Sequence, residues 1–266
     1  MSEFPHAIVV ENLTKRFKQK HYSRSLKGAL MSGIKRGSEV KLLTALDNIS
    51  FTVPHGETLA VIGWNGSGKS TLLSILARVY KATSGTANLY NREGETARLA
   101  PLLALGAGFH PELNGLENIY FYGSLLGLTR AQLDSKQDEI IAFAELEEKI
   151  DTVMHTWNEG AKLRLGFAIA INTEPDVILV DEVLAVGDEA FQNKCFRKIE
   201  ELQQEGKTIV FVSHDLHVVE RVATRVLWLN RGVIQEDGDV SEALAAYRNA
   251  AAQQAANEPH LTKGTA

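Results

Sequence analysis

Residues 58–70 read Thr58-Leu-Ala-Val-Ile-Gly63-Trp64-Asn65-Gly66-Ser67-Gly68-Lys69-Ser70, and this stretch carries the strongest indication of the fold. Residues 58–62 predict a buried strand, the glycines after them predict a tight turn, and a helix begins near Lys69. Glycines let the backbone wrap closely around phosphate oxygens, and the N–H groups at a helix start supply partial positive charge. A strand, a turn and a helix in this order favour a phosphate-binding loop over a plain glycine turn.

The loop supplies most of the predicted ligands of a bound nucleotide. Lys69 is predicted to reach the β- and γ-phosphates, and the hydroxyl of Ser70 is predicted to bind Mg²⁺. The full predicted set of loop ligands is Gly63, Asn65, Gly66, Ser67, Gly68, Lys69, Ser70 and Thr71.

Two acidic residues follow a second apolar run. Residues 177–182 read Val177-Ile-Leu-Val-Asp181-Glu182, and the run before the acids is typical of a buried parallel strand. Asp181 is predicted to hold Mg²⁺ through water beside Ser70, and Glu182 to orient and polarise an attacking water. Acids after a strand also occur as ordinary solvated loop charge, but the phosphate loop upstream favours the catalytic interpretation.

A histidine follows the next predicted strand, residues 208–212. A lone histidine is more often structural or exposed, but His214 comes one strand after the Asp-Glu pair and could hydrogen-bond the γ-phosphate. Strands that alternate with helices imply an α/β fold with a parallel sheet. Apolar residues at three- and four-residue spacing over about 113–170 predict a helical subdomain that interrupts this sheet.

Composition limits the functional classes open to the chain. Its 266 residues carry a net charge of −5, which argues against nucleic-acid binding across the whole surface. The single cysteine, Cys195, excludes an internal disulfide and fits a reducing compartment. The N-terminal residues lack a signal-peptide layout, and no apolar run reaches the ~20 residues that a membrane span needs. We therefore expect a soluble chain whose membrane work goes through a partner.

The order of these motifs resembles that in the ATP-binding subunits of ABC transporters, from about residue 7 to residue 248. The resemblance implies a P-loop NTPase fold, with an ABC-type ATPase domain at 1–249 that contains a helical subdomain and an antiparallel β subdomain, and a flexible tail at 250–266. It implies ATP and Mg²⁺, a homodimer of ATPase subunits and an integral membrane permease dimer as partner. It also implies a peripheral position on the cytoplasmic face of the inner membrane and no nucleic-acid partner.

The family carries a signature segment before the Asp-Glu strand, and residues 157–165 stand in that position. The match is loose, because Asn158 replaces the usual serine and only the second glycine, Gly160, is kept. In the family this helix start meets the γ-phosphate bound by the opposite subunit. Asn158 is a suitable helix N-cap, and Gly160 allows close backbone approach to a phosphate. The resemblance also includes Asp188 among the nucleotide-contacting residues.

Two further segments narrow the resemblance to exporters of bacterial polysaccharides. Residues 183–191 read Val183-Leu-Ala-Val-Gly-Asp188-Glu-Ala-Phe191, and this pattern is typical of subunits that handle O-antigen, capsule or teichoic-acid chains. Residues 105–119 also resemble the corresponding segment of those subunits. Most ABC subunits place a glutamine just before that segment, whereas Leu105 or Gly106 stands near the position here, so no glutamine ligand is assigned.

Phe17 lies where the family places an aromatic side chain that stacks on adenine. Tyr22 is the alternative for that role, and Phe17 could instead be a core residue at a strand end. A basic insertion at about 18–43 shows apolar residues at positions 26, 30 and 34, as on one helix face. Polysaccharide-exporter subunits carry an insertion here, which favours contact with anionic lipid or the membrane subunit over a solvated charge run. The basic residues from 15 to 36 are Lys15, Arg16, Lys18, Lys20, Arg24, Lys27, Lys35 and Arg36.

We therefore expect the ATPase subunit of a polysaccharide or glycolipid exporter, whose closing motion reaches the membrane partner through residues near 117–128. An ABC exporter of another substrate, such as a lipid or drug, is the nearest alternative. A non-transport ABC ATPase is less favoured, because the chain has one phosphate loop and no sustained heptads. A small-molecule kinase would need neither the Asn158 segment nor His214.

Overall fold

The computed structural model describes residues 5–20, 40–103, 105–106, 108–181 and 187–257 of the chain. The strands are β1 (His6–Lys20), β2 (Val40–Pro54), β3 (Thr58–Ile62), β4 (Ser84–Leu89), β5 (Leu99–Leu102), β6 (Val177–Val180), β7 (Thr208–Val212), β8 (Arg225–Asn230) and β9 (Val233–Gly238). The helices are α1 (Lys69–Leu76), α2 (Gly115–Leu125), α3 (Arg130–Ala144), α4 (Glu159–Ile171), α5 (Glu189–Gln204), α6 (Leu216–Val222) and α7 (Val240–Asn257), with a 3-10 turn at Met154–Thr156. Within these described ranges, every helix is too short or too polar to cross a bilayer.

Some residues singled out from the sequence lie outside the described ranges, and what was predicted for them stays a prediction. They are Glu182, the first four residues of the 183–191 pattern, Tyr22, the basic residues Arg24, Lys27, Lys35 and Arg36, the apolar positions Leu26, Leu30 and Ile34, and the chain end at 258–266.

A six-stranded sheet in the order β5-β6-β7-β3-β8-β9 forms the centre of the fold. Five of its strands are parallel and β9 alone is antiparallel, paired with β8. Every residue of β3, β6 and β7 is buried, because apolar clusters cover both faces of the sheet. Parallel strands end at the same edge, so the segments that follow β3, β6 and β7 meet there. The predicted α/β fold with a parallel sheet is confirmed.

A second sheet, in the order β2-β1-β4, is antiparallel and packs with α1 in one apolar cluster. Its first two strands are longer than the predicted strands at 7–13 and 49–53. Lys18 pairs with Leu42 and Lys20 with Val40, so the predicted insertion at 18–43 begins and ends as paired strand. Charged side chains at exposed positions hid these strand ends from a search for alternating apolar residues.

Helices α2, α3 and α4 form the predicted helical subdomain around an apolar cluster of their own. Two of them begin with a capping box, in which the cap side chain and the third helical residue bond each other's backbone N–H. Asn114 and Glu117 form this arrangement at α2, and Thr129 and Gln132 form it at α3. These local signals set where the subdomain helices begin.

Two elements differ from the sequence-based expectation. Strand β5 was not predicted, because its four residues include Pro101 and prolines argue against a strand inside a sheet. Helix α7 continues through Asn257, beyond the predicted domain end at residue 249. Its residues Ala243 and Leu244 are buried, and Ala250 packs against the same cluster. Alanine has the highest helix propensity, so composition and packing both extend this helix.

Candidate nucleotide-binding site

The loop between β3 and α1 has a backbone that only glycine accommodates at several positions. Gly63, Gly66 and Gly68 have φ angles of 148°, 77° and 112°, in the region that side chains with a Cβ disfavour. A Cβ on Gly63 would lie 2.2 Å from the carbonyl oxygen of Leu229, and one on Gly68 would lie 2.5 Å from that of Ala45. By contrast, nothing in the described structure lies within 4 Å of a Cβ placed on Gly66. The tight turn predicted from the sequence is therefore present.

Lys69 is the first residue of α1 and is only 5% exposed. Its ammonium donates hydrogen bonds to the carbonyl oxygens of Gly63, at 2.8 Å, and Trp64, at 3.1 Å. Ser67 is also buried, and its hydroxyl makes no hydrogen bond within the described residues. A buried hydroxyl costs free energy unless it is bonded, so this group fits a ligand oxygen in the loop.

The loop lines a cavity of about 270 Å³ together with three other segments. The lining residues are Phe17, Leu43, Thr44, Ala45, Asn65, Gly66, Ser67, Gly68, Lys69, Ser70, Thr71 and His214. The fold thus brings together the phosphate loop, the aromatic residue of β1 and the histidine after β7, as the sequence predicted. His214 reaches the cavity because β7 is the parallel neighbour of β3, and Asp181 follows β6, the neighbour of β7.

Phe17 packs against a second aromatic ring, which does not itself line the cavity. The ring of Tyr80 meets the ring of Phe17 edge to face at 5.6 Å between centroids. The ammonium of Lys15 lies 4.9 Å from the Phe17 centroid and 5.3 Å from the Tyr80 centroid, and it donates to the carbonyl oxygen of Lys81 at 2.7 Å. Sequence reasoning missed Tyr80, because it follows α1 in an irregular segment that carries no motif.

A strand register explains the residues of the cavity that sequence reasoning missed. Phe17 pairs with Leu43 and Arg16 with Thr44, so β2 brings residues 43–45 beside the phosphate loop. Their only sequence signal is their position at the far end of the basic insertion, which gives no indication of strand pairing. Asp47 donates from its backbone N–H to the carbonyl oxygen of Gly232, and the backbone N–H of Gly232 donates to the carbonyl oxygen of Ser67. The phosphate loop is thereby held between β2 and the β8–β9 turn.

Asn158, Gly160 and Asp188 line a different cavity, of about 560 Å³. In the described structure it shares no lining residue with the first cavity. Asn158 is the N-cap of α4, and its side-chain oxygen accepts from the backbone N–H of Ala161 at 2.8 Å. The predicted capping role is confirmed, but one chain does not bring these residues together with Lys69.

Charged residues hold this second cavity in shape. Asp188 caps α5 by accepting from the backbone N–H of Phe191 at 2.9 Å, and Arg164 donates to its other oxygen at 2.7 Å. The backbone hydrogen bond first, and the Arg164 guanidinium second, lower the pKa of the Asp188 carboxyl. Glu145 accepts from Lys194 at 2.8 Å and from Arg164 at 3.2 Å, and the Lys194 hydrogen bond lowers its pKa. Both carboxyls are therefore ionised at neutral pH.

At the position where most ABC subunits place a glutamine, this chain has Leu105 and Gly106, and both pack against neighbouring parts of the fold. Leu105 is 5% exposed and belongs to the core on one face of the central sheet. Gly106 has no side chain and lies against α4. A Cβ placed on Gly166 of that helix would be 3.0 Å from the backbone nitrogen of Gly106. Neither residue supplies a polar side chain to a nucleotide or a metal ion.

A glycine-rich loop at the end of a parallel strand, with a buried lysine and an open cavity beside it, defines a phosphate-loop nucleotide-binding protein. A family model described as "ABC transporter" matches residues 46–185, which is more than half of the chain. The chain belongs to the ABC transporter family. The resemblance stated from the motifs is thus confirmed.

Relatives with assigned roles are similar over most of the chain. An O-antigen export system ATP-binding protein from Klebsiella pneumoniae is 41% identical over 92% of this chain and 98% of its own length. One from Myxococcus xanthus is 41% identical over 99% of this chain but only 62% of its own length. A teichoic acids export ATP-binding protein from Bacillus cereus is 38% identical over 91% of this chain and 42% of its own length. The chain therefore spans about two fifths to nearly all of the length of these relatives.

Solved structures agree with the fold. A dimeric ATP-binding cassette in a post-hydrolysis state, bound to ADP and phosphate, superposes with a TM-score of 0.69 at 22% identity, covering 88% of this chain and 98% of that chain. A dimeric bacterial ABC transporter cassette gives a TM-score of 0.68 at 23% identity with the same coverage. At this identity the likeness establishes the fold alone. The predicted ABC-type ATPase fold is confirmed.

Proposed function

We propose that the chain is the ATPase subunit of an exporter that moves a bacterial polysaccharide or glycolipid across the cytoplasmic membrane. The observation that carries this proposal is the 41% identity to an O-antigen export ATP-binding protein over nearly the full length of both chains. The V-L-A-V-G-D-x-x-F pattern of residues 183–191 supports the same substrate class. The permease that forms the membrane path is a separate chain in this proposal.

The first cavity is the proposed ATP site. The N–H groups of the loop, the Ser67 hydroxyl and the Lys69 ammonium surround the phosphates, while Phe17 stacks on the adenine. Lys69 gives up bonds to the carbonyls of Gly63 and Trp64, or shares them with the phosphates, when the nucleotide binds. The residue types of this loop therefore fit a polyphosphate.

Mg²⁺ belongs to the proposed site as the partner of the phosphates. Ser70, at the start of α1, and Asp181, at the end of β6, are the residues that would hold it. When bound, the ion supplies positive charge that stabilises the phosphoryl oxygens during transfer. Within the described residues no cluster of acidic, histidine or cysteine side chains could bind a metal alone, which fits an ion that depends on the nucleotide for ligands.

Hydrolysis in this proposal is an in-line attack of water on the γ-phosphate. Glu182, which follows Asp181 directly, orients and polarises the water, and His214 hydrogen-bonds the γ-phosphate from the other side of the cavity. Lys69 and the loop N–H groups stabilise the charge that spreads over the phosphoryl oxygens. Glu182 and His214 act at the γ-phosphate, which ADP lacks, so ADP alone should engage fewer of these groups than ATP does.

Two copies of the chain complete the site in a head-to-tail dimer. The supporting observation is that Asn158, Gly160 and Asp188 line a cavity separate from the one that contains Lys69. A nucleotide held by the first cavity of one copy would meet the second cavity of the other copy. Binding of ATP then closes the dimer, and hydrolysis with product release opens it.

The membrane partner is proposed to contact the helical subdomain. Phe121 and Leu125 on α2 are 42% and 63% exposed, inside the segment near 117–128 that the sequence indicated. Exposed apolar side chains of this size, rimmed by polar residues, suit a protein interface. The subunit would therefore sit peripherally on the cytoplasmic face of the inner membrane, and the basic residues between 18 and 43 would add attraction to anionic lipid.

The nucleotide site is tested with two variants of the purified chain. Lys69→Ala should lose tight nucleotide binding in calorimetry, because a charge-assisted contact to the phosphates is removed. Glu182→Gln should bind ATP but hydrolyse it very slowly, and should accumulate as an ATP-bound dimer in size-exclusion chromatography. Unchanged affinity in the first variant would remove the phosphate-loop assignment, and a wild-type rate in the second would require another residue to orient the water.

The export role is tested in the source cell. A deletion strain that carries the Glu182→Gln gene should accumulate lipid-linked glycan on the cytoplasmic side of the membrane. The same strain carrying the wild-type gene should again display the glycan on the cell surface. Tagged wild-type protein should recover an integral membrane protein from detergent-solubilised membranes. Normal surface glycan in the deletion strain, with another exported lipid or drug lost instead, would contradict the proposed substrate class.

A further inference from the structure

Three aromatic rings from distant parts of the chain form one cluster beside the phosphate loop. Trp64 lies in the loop, Trp228 lies on β8 and Tyr247 lies on α7. The ring centroids are 5.7 Å apart for Trp64 and Trp228, 5.4 Å for Trp64 and Tyr247, and 5.6 Å for Trp228 and Tyr247. Aromatic pairs at such distances attract one another beyond the effect of their buried area, so each ring limits the positions of the other two.

The backbone of Trp64 is part of the nucleotide site. Its carbonyl oxygen accepts from the ammonium of Lys69 at 3.1 Å and from the backbone N–H of Ser67 at 3.1 Å. The side chain of the same residue is half-buried between β8 and α7. A movement of the indole would therefore move the carbonyl that holds Lys69.

Helix α7 is itself anchored firmly enough to act as a support. Ala243 is completely buried and Leu244 is 1% exposed, so one face of the helix packs into the core. Arg248 donates to Glu220 on α6 at 2.6 Å. Helix α6 begins directly after Asp215, its N-cap, which in turn follows His214. Helix α7 therefore contacts the phosphate loop at Trp64 and the helix that follows His214.

We propose that α7 positions the phosphate loop, with Tyr247 as a positioning residue that acts on Lys69 through Trp64. The inference rests on the proposed role of this loop as the nucleotide site. Tyr247 does not line the nucleotide cavity, and its effect passes through the indole ring to the Trp64 carbonyl. A disturbance of the C-terminal helix would thereby change nucleotide affinity without any contact between helix and nucleotide.

The test compares ADP binding by the full-length chain and four variants in calorimetry. Tyr247→Ala should weaken ADP binding by about two- to tenfold, the factor that corresponds to loss of its pair with Trp64. Tyr247→Phe keeps the ring and should bind like wild type. Tyr120→Ala is the matched control, because it removes a half-buried tyrosine from the helical subdomain, and it should also bind like wild type. Lys69→Ala is the fourth variant and should lose most of the affinity.

Tryptophan emission separates positioning from general destabilisation. The chain has three tryptophans, so the Trp64 signal is taken as the difference between each protein and its Trp64→Phe counterpart. In Tyr247→Ala this signal should move to longer wavelength before ADP is added, because the indole loses its cover and meets water. Neither Tyr247→Phe nor Tyr120→Ala should show that change. Tyr120→Ala should keep the wild-type Trp64 emission even if its melting temperature falls. If Tyr247→Ala does not fold, Tyr247→Leu keeps apolar volume without the ring and should show both effects.

The outcomes distinguish the proposed nucleotide site from the proposed role of α7. Wild-type ADP binding in Lys69→Ala would overturn the nucleotide site and the inference together. A loss in Lys69→Ala with wild-type binding and unchanged Trp64 emission in Tyr247→Ala would leave the site in place and overturn the role of α7. Equal losses in Tyr247→Ala and Tyr120→Ala would also overturn it, since both would then reflect stability alone.

Discussion

Glycines of the phosphate loop serve two different purposes at the residue scale. A Cβ on Gly68 would lie 2.5 Å from the Ala45 carbonyl oxygen, so this glycine is required by the protein itself. A Cβ on Gly66 meets nothing within 4 Å, so its open side faces the space in which we place the phosphates. The two positions should therefore respond differently to alanine.

Gly68→Ala and Gly66→Ala should separate folding from binding. Both pay the cost of a left-handed backbone, about 1–2 kcal/mol, and only Gly68→Ala adds a backbone clash. Gly127→Ala is the matched control, because its φ is 91° and its Cβ also meets nothing within 4 Å. In thermal unfolding, Gly66→Ala should resemble Gly127→Ala, while Gly68→Ala should be clearly less stable. In ADP titrations, Gly66→Ala should lose affinity and Gly127→Ala should not. Equal affinity for those two would mean that the phosphates do not pass beside Gly66.

The sequence predicted individual residues well where their chemistry is local. Asn158 was expected to cap a helix, and its side chain does accept from the third N–H of α4. Leu43 was missed, because its place in the cavity depends on the pairing of β1 with β2. Tyr80 was missed as a neighbour of Phe17, because that contact depends on the course of the chain after α1. Such relations join residues far apart in the chain and leave no local pattern.

Whole elements were predicted where apolar periodicity is strong and missed where it is weak. Strands β3, β6 and β7 are continuous apolar runs, and each was found. The outer ends of β1 and β2 carry charged side chains, and β5 is short and contains Pro101, so pattern alone could not identify them. Pairing with neighbouring strands decides these cases, and pairing is a property of the tertiary structure.

Asn158, at the start of helix α4, is both the N-cap of that helix and a proposed ligand of the nucleotide. Substitutions at this one residue therefore test both roles. Asn158→Ala should lower stability by about 1 kcal/mol, because the N–H of Ala161 loses its acceptor. It should also reduce ATPase activity and ATP-dependent dimerisation, measured as the rate against protein concentration, while ADP affinity of the monomer stays unchanged. Asn158→Ser keeps an acceptor and a donor and should remain active.

The control for this element is the cap of α3. The Thr129 side chain accepts from the backbone N–H of Gln132, and Thr129 does not line either cavity. Thr129→Ala should therefore cost similar stability and leave the concentration dependence of the ATPase rate as in wild type. If Asn158→Ala behaves like Thr129→Ala in both measurements, the start of α4 serves the fold alone and has no contact with nucleotide.

At the scale of the whole molecule, an ion-pair network joins the helical subdomain to the rest of the fold. Glu145 ends α3, Arg164 lies on α4, and Asp188 and Lys194 belong to the cap and body of α5. Arg164 bonds both carboxylates and also lies over the ring of Phe191, 4.6 Å from its centroid. Exposed ion pairs of this kind add little stability. Their geometry nevertheless fixes the positions of α3, α4 and α5 around the second cavity.

The separation of the two cavities then predicts how mixed dimers behave. A head-to-tail dimer builds each ATP site from Lys69 of one copy and Asn158 of the other. Lys69→Ala and Asn158→Ala homodimers should both be nearly inactive, since every site lacks one group. A mixture of the two variants contains heterodimers in which one site has both groups intact. The mixture should therefore hydrolyse ATP at a measurable rate that neither variant reaches alone.

A second mixture provides the control for this prediction, because it reverses the expectation. Wild type mixed with the double variant Lys69→Ala/Asn158→Ala forms heterodimers in which each site lacks one group, so the heterodimers should be inactive. If both groups acted within one copy, the first mixture would stay inactive and the second would retain the activity of its intact copies. Steady-state ATPase rates, measured after subunit exchange and corrected for the remaining homodimers, distinguish the two arrangements. An inactive first mixture with an active second one would show that Asn158 and Lys69 serve the same nucleotide within one chain, and the head-to-tail arrangement would then have to be abandoned.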